Sequence, residues 1–202
     1  MRMFYPDRRE KSAYTIDYAD LYRKGYRGVI FDIDNTLVPH GAPATKEAAA
    51  FFASLRETGF STCLLSNNQK PRVAPFADAV GSIYIENAHK PSVKNYQEAC
   101  RRMGIKEEQA VFVGDQLFTD VYGAKRTGLY NILTEPINPK EEIQIVLKRY
   151  LEHIVLFFYE RDLARGRITK KTVEKSGKIL YYKISLWCAF GASYYVKEEK
   201  SE

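Results

Sequence analysis

Apolar and polar positions along the chain follow two periods. Gly28-Val29-Ile30-Phe31 is apolar without a break, too short and too β-branched for a helix, and reads as a buried parallel strand. Over 45–58, Ala48, Phe51, Phe52 and Leu55 recur at helical spacing, and Gly59 stands where a C-terminal cap falls. The same punctuation continues with a strand at 60–65, a helix at 71–80 closed by Gly81, and a short strand at 82–85. Pro91 opens a helix that runs to 103 before Gly104; a strand at 110–113, a helix at 119–126 ended near Gly128, and a strand at 130–133 follow. Pro136 and Pro139 mark a loop. Beyond it Ile143, Leu147, Tyr150, Leu151, Ile154 and Phe158 keep a 3.6-residue period, which predicts a long amphipathic helix closing one side of the sheet. Ahead of the first strand lies a tyrosine-rich, polar lead-in with a short helix at 17–24 stopped by Gly25. Alternating strands and helices predict an α/β fold, a three-layer, doubly wound parallel sheet covered on both faces. The expected divisions are a lead-in packed beside the sheet (1–27), the α/β domain (28–165) and a basic, aromatic C-terminal extension (166–202).

Two carboxylates, Asp32 and Asp34, arrive at the end of the first buried strand, and period-two geometry sends both to one face. Bare carboxylates so placed repel each other and are costly to desolvate; a divalent cation or a shared proton relieves that cost. Asn35-Thr36 is turn chemistry, offering backbone N–H groups and a hydroxyl at the edge where open α/β sheets form ligand sites. Three further fragments sit at predicted strand ends: Ser66-Asn67, Lys90-Pro91, and Gly114-Asp115 with Asp120 beyond. Each has a bland account, as a helix N-cap, a surface lysine or a strand-to-loop turn. The histidines His40, His89 and His153 read as structural.

In this order, Asp-x-Asp, Ser, Lys and a final Asp resemble the haloacid dehalogenase superfamily of phosphatases, over roughly 28–133. More narrowly, Asp-x-Asp-Asn-Thr with Gly-Asp-Gln-x-x-Thr-Asp resembles the capless subclass IIIA, YqeG-type group, which is similar to the phosphatidylglycerophosphate phosphatases of mitochondria and plastids. Spacing agrees with the absence of a cap domain: the 22 residues at 68–89 hold one helix and one short strand, too little for a lid. The resemblance implies a Mg²⁺-dependent phosphomonoesterase working through an aspartyl phosphate. It makes Asp32 the nucleophile and Asp34 the general acid and base, the latter with reason to hold a proton more tightly beside another anion. It puts the Ser66 hydroxyl and the Asn67 N–H on phosphoryl oxygens, with Lys90 as the fixed positive charge. Mg²⁺ is then expected between Asp32 and Asp115, with the main-chain carbonyl of Asp34. Asp120 is expected to orient Lys90 or a metal-bound water, with Asn35 and Thr36 in support. An open site cannot exclude water by itself, so the substrate is expected to be bulky or membrane-held, phosphatidylglycerophosphate foremost.

Composition narrows this only a little. A chain of 202 residues, 45% apolar and 28% charged, suits one soluble domain. Cys63, Cys100 and Cys188 are widely spaced, without metal-ligand spacing, and read as reduced thiols of a cytoplasmic protein. No apolar signal-peptide core follows the basic N-terminal residues. The net charge of +6 is concentrated at the ends, with seven basic residues in 161–178 against Asp162 and Glu174. Such ends suit anionic headgroups, although a solvated face is the plainer account. The aromatic stretch at 179–196 falls short of the ~20 apolar residues of a membrane span and is interrupted by Lys183. The expected location is therefore cytoplasmic, with peripheral membrane contact through the basic and aromatic ends. Competing readings are a phosphatase of a soluble sugar phosphate or nucleotide, and a non-catalytic phosphate-sensing module. Nucleic-acid binding has no RNP aromatics or zinc spacing behind it.

Overall fold

The fold was obtained as a computed structural model, which describes residues 2–138, 143–168, 170–173 and 179–182. In chain order the elements are β1 (Arg8–Glu10), α1 (Tyr18–Arg23), β2 (Gly28–Phe31), α2 (Lys46–Thr58) and β3 (Ser61–Leu65). Then come α3 (Lys70–Val80), β4 (Ile83–Ile85), α4 (Val93–Met103), β5 (Ala110–Gly114), α5 (Tyr122–Thr127), β6 (Tyr130–Thr134) and α6 (Ile143–Ala164). A two-stranded antiparallel pair, β7 (Lys170–Val173) and β8 (Ile179–Tyr182), lies in the C-terminal extension; 183–202 fall outside the described residues.

The main sheet has six parallel strands in the order β1-β6-β5-β2-β3-β4. β2 sits inside it, Gly28 opposite Ser61 and Ala110, Phe31 opposite Leu64 and Val113. All four of its residues are buried, because helices cover both faces and no polar side is needed. Val29 and Phe31 join Leu64, Val111 and Val113 on one face, against Phe52 and Leu55 of α2 and Val73 and Phe76 of α3. Ile30 points the other way with Cys63, Leu65 and Phe112, against Tyr96 and Cys100 of α4 and Ala124 of α5. The helix ends are encoded as expected. Thr45 accepts from Ala48 N at 3.1 Å to cap α2, and Gly59 closes it at φ 100°, a region glycine enters without a Cβ penalty.

The structure differs from the sequence reading in two places. Residues before 28 do more than lie beside the sheet: β1 pairs with β6 as the edge strand, and Tyr5, Ala13, Ile16, Tyr18 and Leu21 are buried. Arg8-Arg9-Glu10 carries no apolar signature, as is usual for a short charged edge strand. The second is a correction to α6, which does cover the sheet and packs Phe158 against it as expected, but with its buried stripe shifted around the helix; the side chains of Ile143 and Leu147 lie outside those described. Tyr150, Leu151 and Ile154 are exposed, whereas Val155, Tyr159 and Leu163 are buried against Tyr5, Leu117, Val121 and Leu133. The buried stripe was hidden because Glu152 and Asp162 interrupt it. Both are buried, accepting from Leu117 N at 2.7 Å and Tyr5 Oη at 3.2 Å. No lid interrupts the described domain, and no described helix is long and apolar enough to cross a membrane.

Two leucines of one helix test this orientation. Leu163→Ala should destabilise by ~2–5 kcal/mol and Leu151→Ala by no more than ~0.5 kcal/mol in denaturant unfolding. Equal costs would contradict the packing face.

Candidate active site

Parallel strands deliver their C-terminal ends to one edge, and the chemistry collects there. Asp32 continues past β2, its N–H donating to Val113 O at 3.0 Å. The chain then turns through Asn35, which is buried in the left-handed region at φ 61° and donates from its N–H to Val38 O at 2.7 Å. Asn tolerates that conformation better than most residues. The turn places the Thr36 hydroxyl 3.0 Å from Asp115 Oδ1, at the end of β5.

Lys90 arrives from beyond β4 with its N–H fixed to Asn67 Oδ1 at 2.6 Å. Its buried ammonium donates to Asp32 Oδ1 at 2.7 Å and Asp120 Oδ1 at 2.8 Å, and lies 5.7 Å from the centre of the Phe112 ring. Asp120 belongs to a π-helical turn, Leu117–Val121, an irregularity often found at functional sites. Its Oδ2 accepts from Gln116 N at 3.0 Å. A Cβ on Gly114 would stand 2.4 Å from that oxygen, so the close approach requires glycine.

Asp115 is gripped from the other side. Arg149 of α6 donates to Asp115 Oδ2, to Asp115 O at 2.6 Å and to Glu152 Oε2 at 2.9 Å. One carboxylate oxygen from each of Asp32, Asp115 and Asp120 lies within 4.8 Å of the other two, all three residues buried. Burial pushes the Asp32 carboxyl up to about 7; Lys90 opposes the shift, and Asp120 and Asp115 add to it. Burial likewise lifts Asp115 to about 6, with Asp120 reinforcing and Arg149 opposing. For Lys90, burial disfavours the ammonium, yet Asp120 and Asp32 outweigh it and raise the pKa above its ordinary value. Three crowded hard-oxygen donors, Asp32 and Asp115 among them with raised pKa values, fit a divalent cation.

Ser66 and Asp34 form an adjoining network through Asn68. Buried Ser66 accepts at Oγ from Asn68 N at 3.1 Å, and Asn68 Nδ2 donates to Asp34 Oδ2 at 2.6 Å. Asp34 Oδ1 accepts from Arg72 at 2.8 Å and from Gly41 N at 2.7 Å. The Asp34 carboxylate thus stands outside the three-acid cluster, against the Arg72 cation rather than beside the anion expected from sequence, which leaves its main-chain carbonyl as the group expected to face a metal. Asn68, Arg72, Arg149 and Glu152 were not singled out from sequence. Asn68 directly follows Ser66-Asn67, so adjacency could have found it; Arg149 and Glu152 lie on a helix read only as cover.

A buried lysine among carboxylates at the C-terminal edge of a parallel sheet stands where α/β folds form ligand sites. The family model for haloacid dehalogenase-like hydrolases matches residues 41–128, a span holding Ser66, Lys90, Asp115 and Asp120 and beginning after Asp32 and Asp34. The chain is 34% identical over 161 residues to "Probable phosphatase YqeG" of Bacillus subtilis, covering 79% of this chain and 94% of that one. It is 29% identical over 161 residues to "Phosphatidylglycerophosphate phosphatase 1, chloroplastic/mitochondrial" of Arabidopsis thaliana, covering 75% of this chain and 46% of that longer one. Over 94 residues it is 30% identical to "Glyceraldehyde 3-phosphate phosphatase" of Pyrococcus furiosus, covering 46% of this chain and 39% of that one. The chain belongs to the haloacid dehalogenase-like hydrolases, and within them to the enzymes that act on phosphate esters.

Removing the ammonium tests the electrostatics. Lys90→Met strands buried acids and should cost ~3–5 kcal/mol at pH 8. Asp32 already titrates near 7 when folded, and losing Lys90 raises it further above its unfolded value of ~4. A raised folded pKa means stability present at low pH and lost as pH rises, so the deficit should shrink at pH 5. A deficit that is flat between pH 5 and 8 would contradict the charge arrangement.

Proposed function

We propose that this chain is a Mg²⁺-dependent phosphomonoesterase that passes the phosphoryl group through Asp32. The observation that carries the reading is the Lys90 ammonium held between Asp32 and Asp120, beside Asp115. Asp32 and Asp115, with the Asp34 main-chain carbonyl, would hold Mg²⁺, which when bound offsets the negative charge of the phosphate. The Asp32 carboxylate attacks phosphorus as the bond to the ester oxygen breaks, and Asp34 gives that oxygen its proton. Water then attacks the aspartyl phosphate, Asp34 takes back a proton, and inorganic phosphate leaves with Asp32 restored. Ser66 and the Asn67 N–H bind phosphoryl oxygens, while Lys90 keeps a fixed positive charge at the transferring group. Asp120 positions Lys90 through the 2.8 Å bond, and Thr36 positions Asp115 through the 3.0 Å bond. Asn35 shapes the turn that presents them.

For the substrate we infer a phosphate on a lipid headgroup, phosphatidylglycerophosphate foremost. The uncapped site admits a bulky or surface-bound ester, and the Arabidopsis relative carries that substrate in its name. The setting that follows is the cytoplasm, peripheral to a membrane. Similarity to a glyceraldehyde 3-phosphate phosphatase supports a soluble sugar phosphate as the second reading. Phosphate release from phosphatidylglycerophosphate in mixed micelles and from glyceraldehyde 3-phosphate separates the two. Turnover of the lipid alone is expected, and turnover of the soluble ester alone would remove the lipid reading.

Asp32→Asn should reduce turnover to background, whereas Asp34→Asn should slow it by about 10²–10⁴. Background rates in the unaltered chain would leave only a phosphate-binding module. Added Mg²⁺ should raise the melting temperature more at pH 8 than at pH 5.5. At the lower pH Asp32, titrating at about 7, and Asp115, at about 6, still hold protons that the cation must displace. A larger shift at pH 5.5 would contradict that assignment.

A further inference from the structure

The face of α6 turned away from the core carries a stripe unlike the rest of the described surface. Tyr150 is 67% exposed, Ile154 41% and Phe157 65%, with Leu151 at 48% beside them. Half-buried Arg161, its guanidinium 4.4 Å over the Phe158 ring and 3.9 Å from Asp162 Oδ1, borders the same stripe, and exposed Arg165, in the turn just past α6 with its N–H donating to Arg161 O at 3.1 Å, extends it. No acid interrupts it. Of the acids on α6 with described side chains, Glu152 and Asp162 are buried, and Glu160 is off the stripe, paired with Arg9 at 2.7 Å. Large apolar side chains followed by a basic end match a helix lying in a lipid interface, rings at the headgroup–acyl boundary and the exposed Arg165 guanidinium at anionic headgroups. A second copy packed through the same stripe would bring the same arginines and no acid of that stripe to meet them.

The stripe also adjoins the candidate site. Arg149, the residue before Tyr150, donates to Asp115 O at 2.6 Å. Exposed Ile137 donates from its N–H to Asn35 O at 3.0 Å, in the turn after Asp32. From this placement we propose that the outer face of α6, centred on Tyr150, Ile154 and Phe157, bordered by Arg161 and extended by Arg165, docks on an anionic lipid surface. Docking there lays the rim of the phosphoryl site alongside the membrane. The inference stands apart from the identity of the substrate, because a soluble ester turned over at the membrane would use the same surface.

The test is vesicle flotation of the full chain with phosphatidylcholine alone and with a phosphatidylcholine–phosphatidylglycerol mixture. The unaltered chain should float with the anionic vesicles and stay behind with the neutral ones. A Tyr150→Ser, Phe157→Ser double variant should bind at least about tenfold more weakly, the loss expected for removing two partly inserted rings. Arg165→Gln should weaken binding and flatten its dependence on salt. Each variant should melt as the unaltered chain does and hydrolyse p-nitrophenyl phosphate at the same rate. Failure of the unaltered chain to float with anionic vesicles would overturn the proposal, as would undiminished flotation of the double variant. So would light scattering that shows a dimer dissolved by the double variant, which would assign the stripe to a second copy. Flotation without any phosphate release would sink the proposed activity and leave the docking surface standing.

Discussion

A lysine ammonium buried between two carboxylates is the constraint on which this structure depends. Lys90 reaches Asp32 and Asp120 at 2.7 and 2.8 Å, and all three residues are buried. Buried ions endure only when paired and hydrogen-bonded, and breaking such a set costs far more than a surface ion pair. The remainder of the sheet edge secures that set. Asn67 holds the Lys90 main chain, glycine at 114 lets Asp120 approach, and the π-helical turn aims its carboxylate. The pairing remains incomplete, since Arg149 is shared between Asp115 and Glu152; burial first, and the neighbouring acids after it, lift the pKa values of Asp32 and Asp115. A site with unrelieved negative charge and hard oxygen donors is prepared for a cation, and through it for a phosphate.

α6 links this edge to the outside. Its inner face fills the groove over β6 with Val155, Tyr159 and Leu163, and its buried Glu152 accepts from Leu117 N at 2.7 Å. Arg149 crosses from the same helix to Asp115, so a residue of the covering layer helps to set a carboxylate of the centre. The outer face shows rings to solvent, with exposed Arg165 just past its end. One helix therefore touches both the acid cluster and the outer surface, which would suit the proposed site, uncapped and dependent on its surroundings for enclosure.

Much of this was legible in the residues. β2 was readable because four apolar residues in a row leave no alternative to burial on both faces, and the helix ends because glycine at 59, 81, 104 and 128 marks each stop. Asp32, Ser66, Lys90 and Asp115 were legible as an ordered set at strand ends, and the structure brings Asp32, Lys90 and Asp115 into one cluster. Ser66 lies in the adjoining network, tied to Asp34 through Asn68. What escaped has a common cause. β1 has no apolar alternation, and the buried stripe of α6 is broken by Glu152 and Asp162, whose partners are distant in sequence. Arg149 gives no local sign of its bond to Asp115. Long-range polar pairing leaves no periodicity, so pattern reading favoured the more continuous but exposed apolar stripe of α6.

The central claim is that these segments converge on one cation-held phosphoryl site with Asp32 as the acceptor. A crystal structure of the chain with Mg²⁺ and beryllium fluoride, which mimics a phosphoryl group on a carboxylate, tests it most directly. The account predicts the fluoride group on Asp32, the cation against Asp32 and Asp115, and Lys90 within hydrogen-bond distance of the group. The mimic bound elsewhere, or a cation site without Asp115, would contradict it.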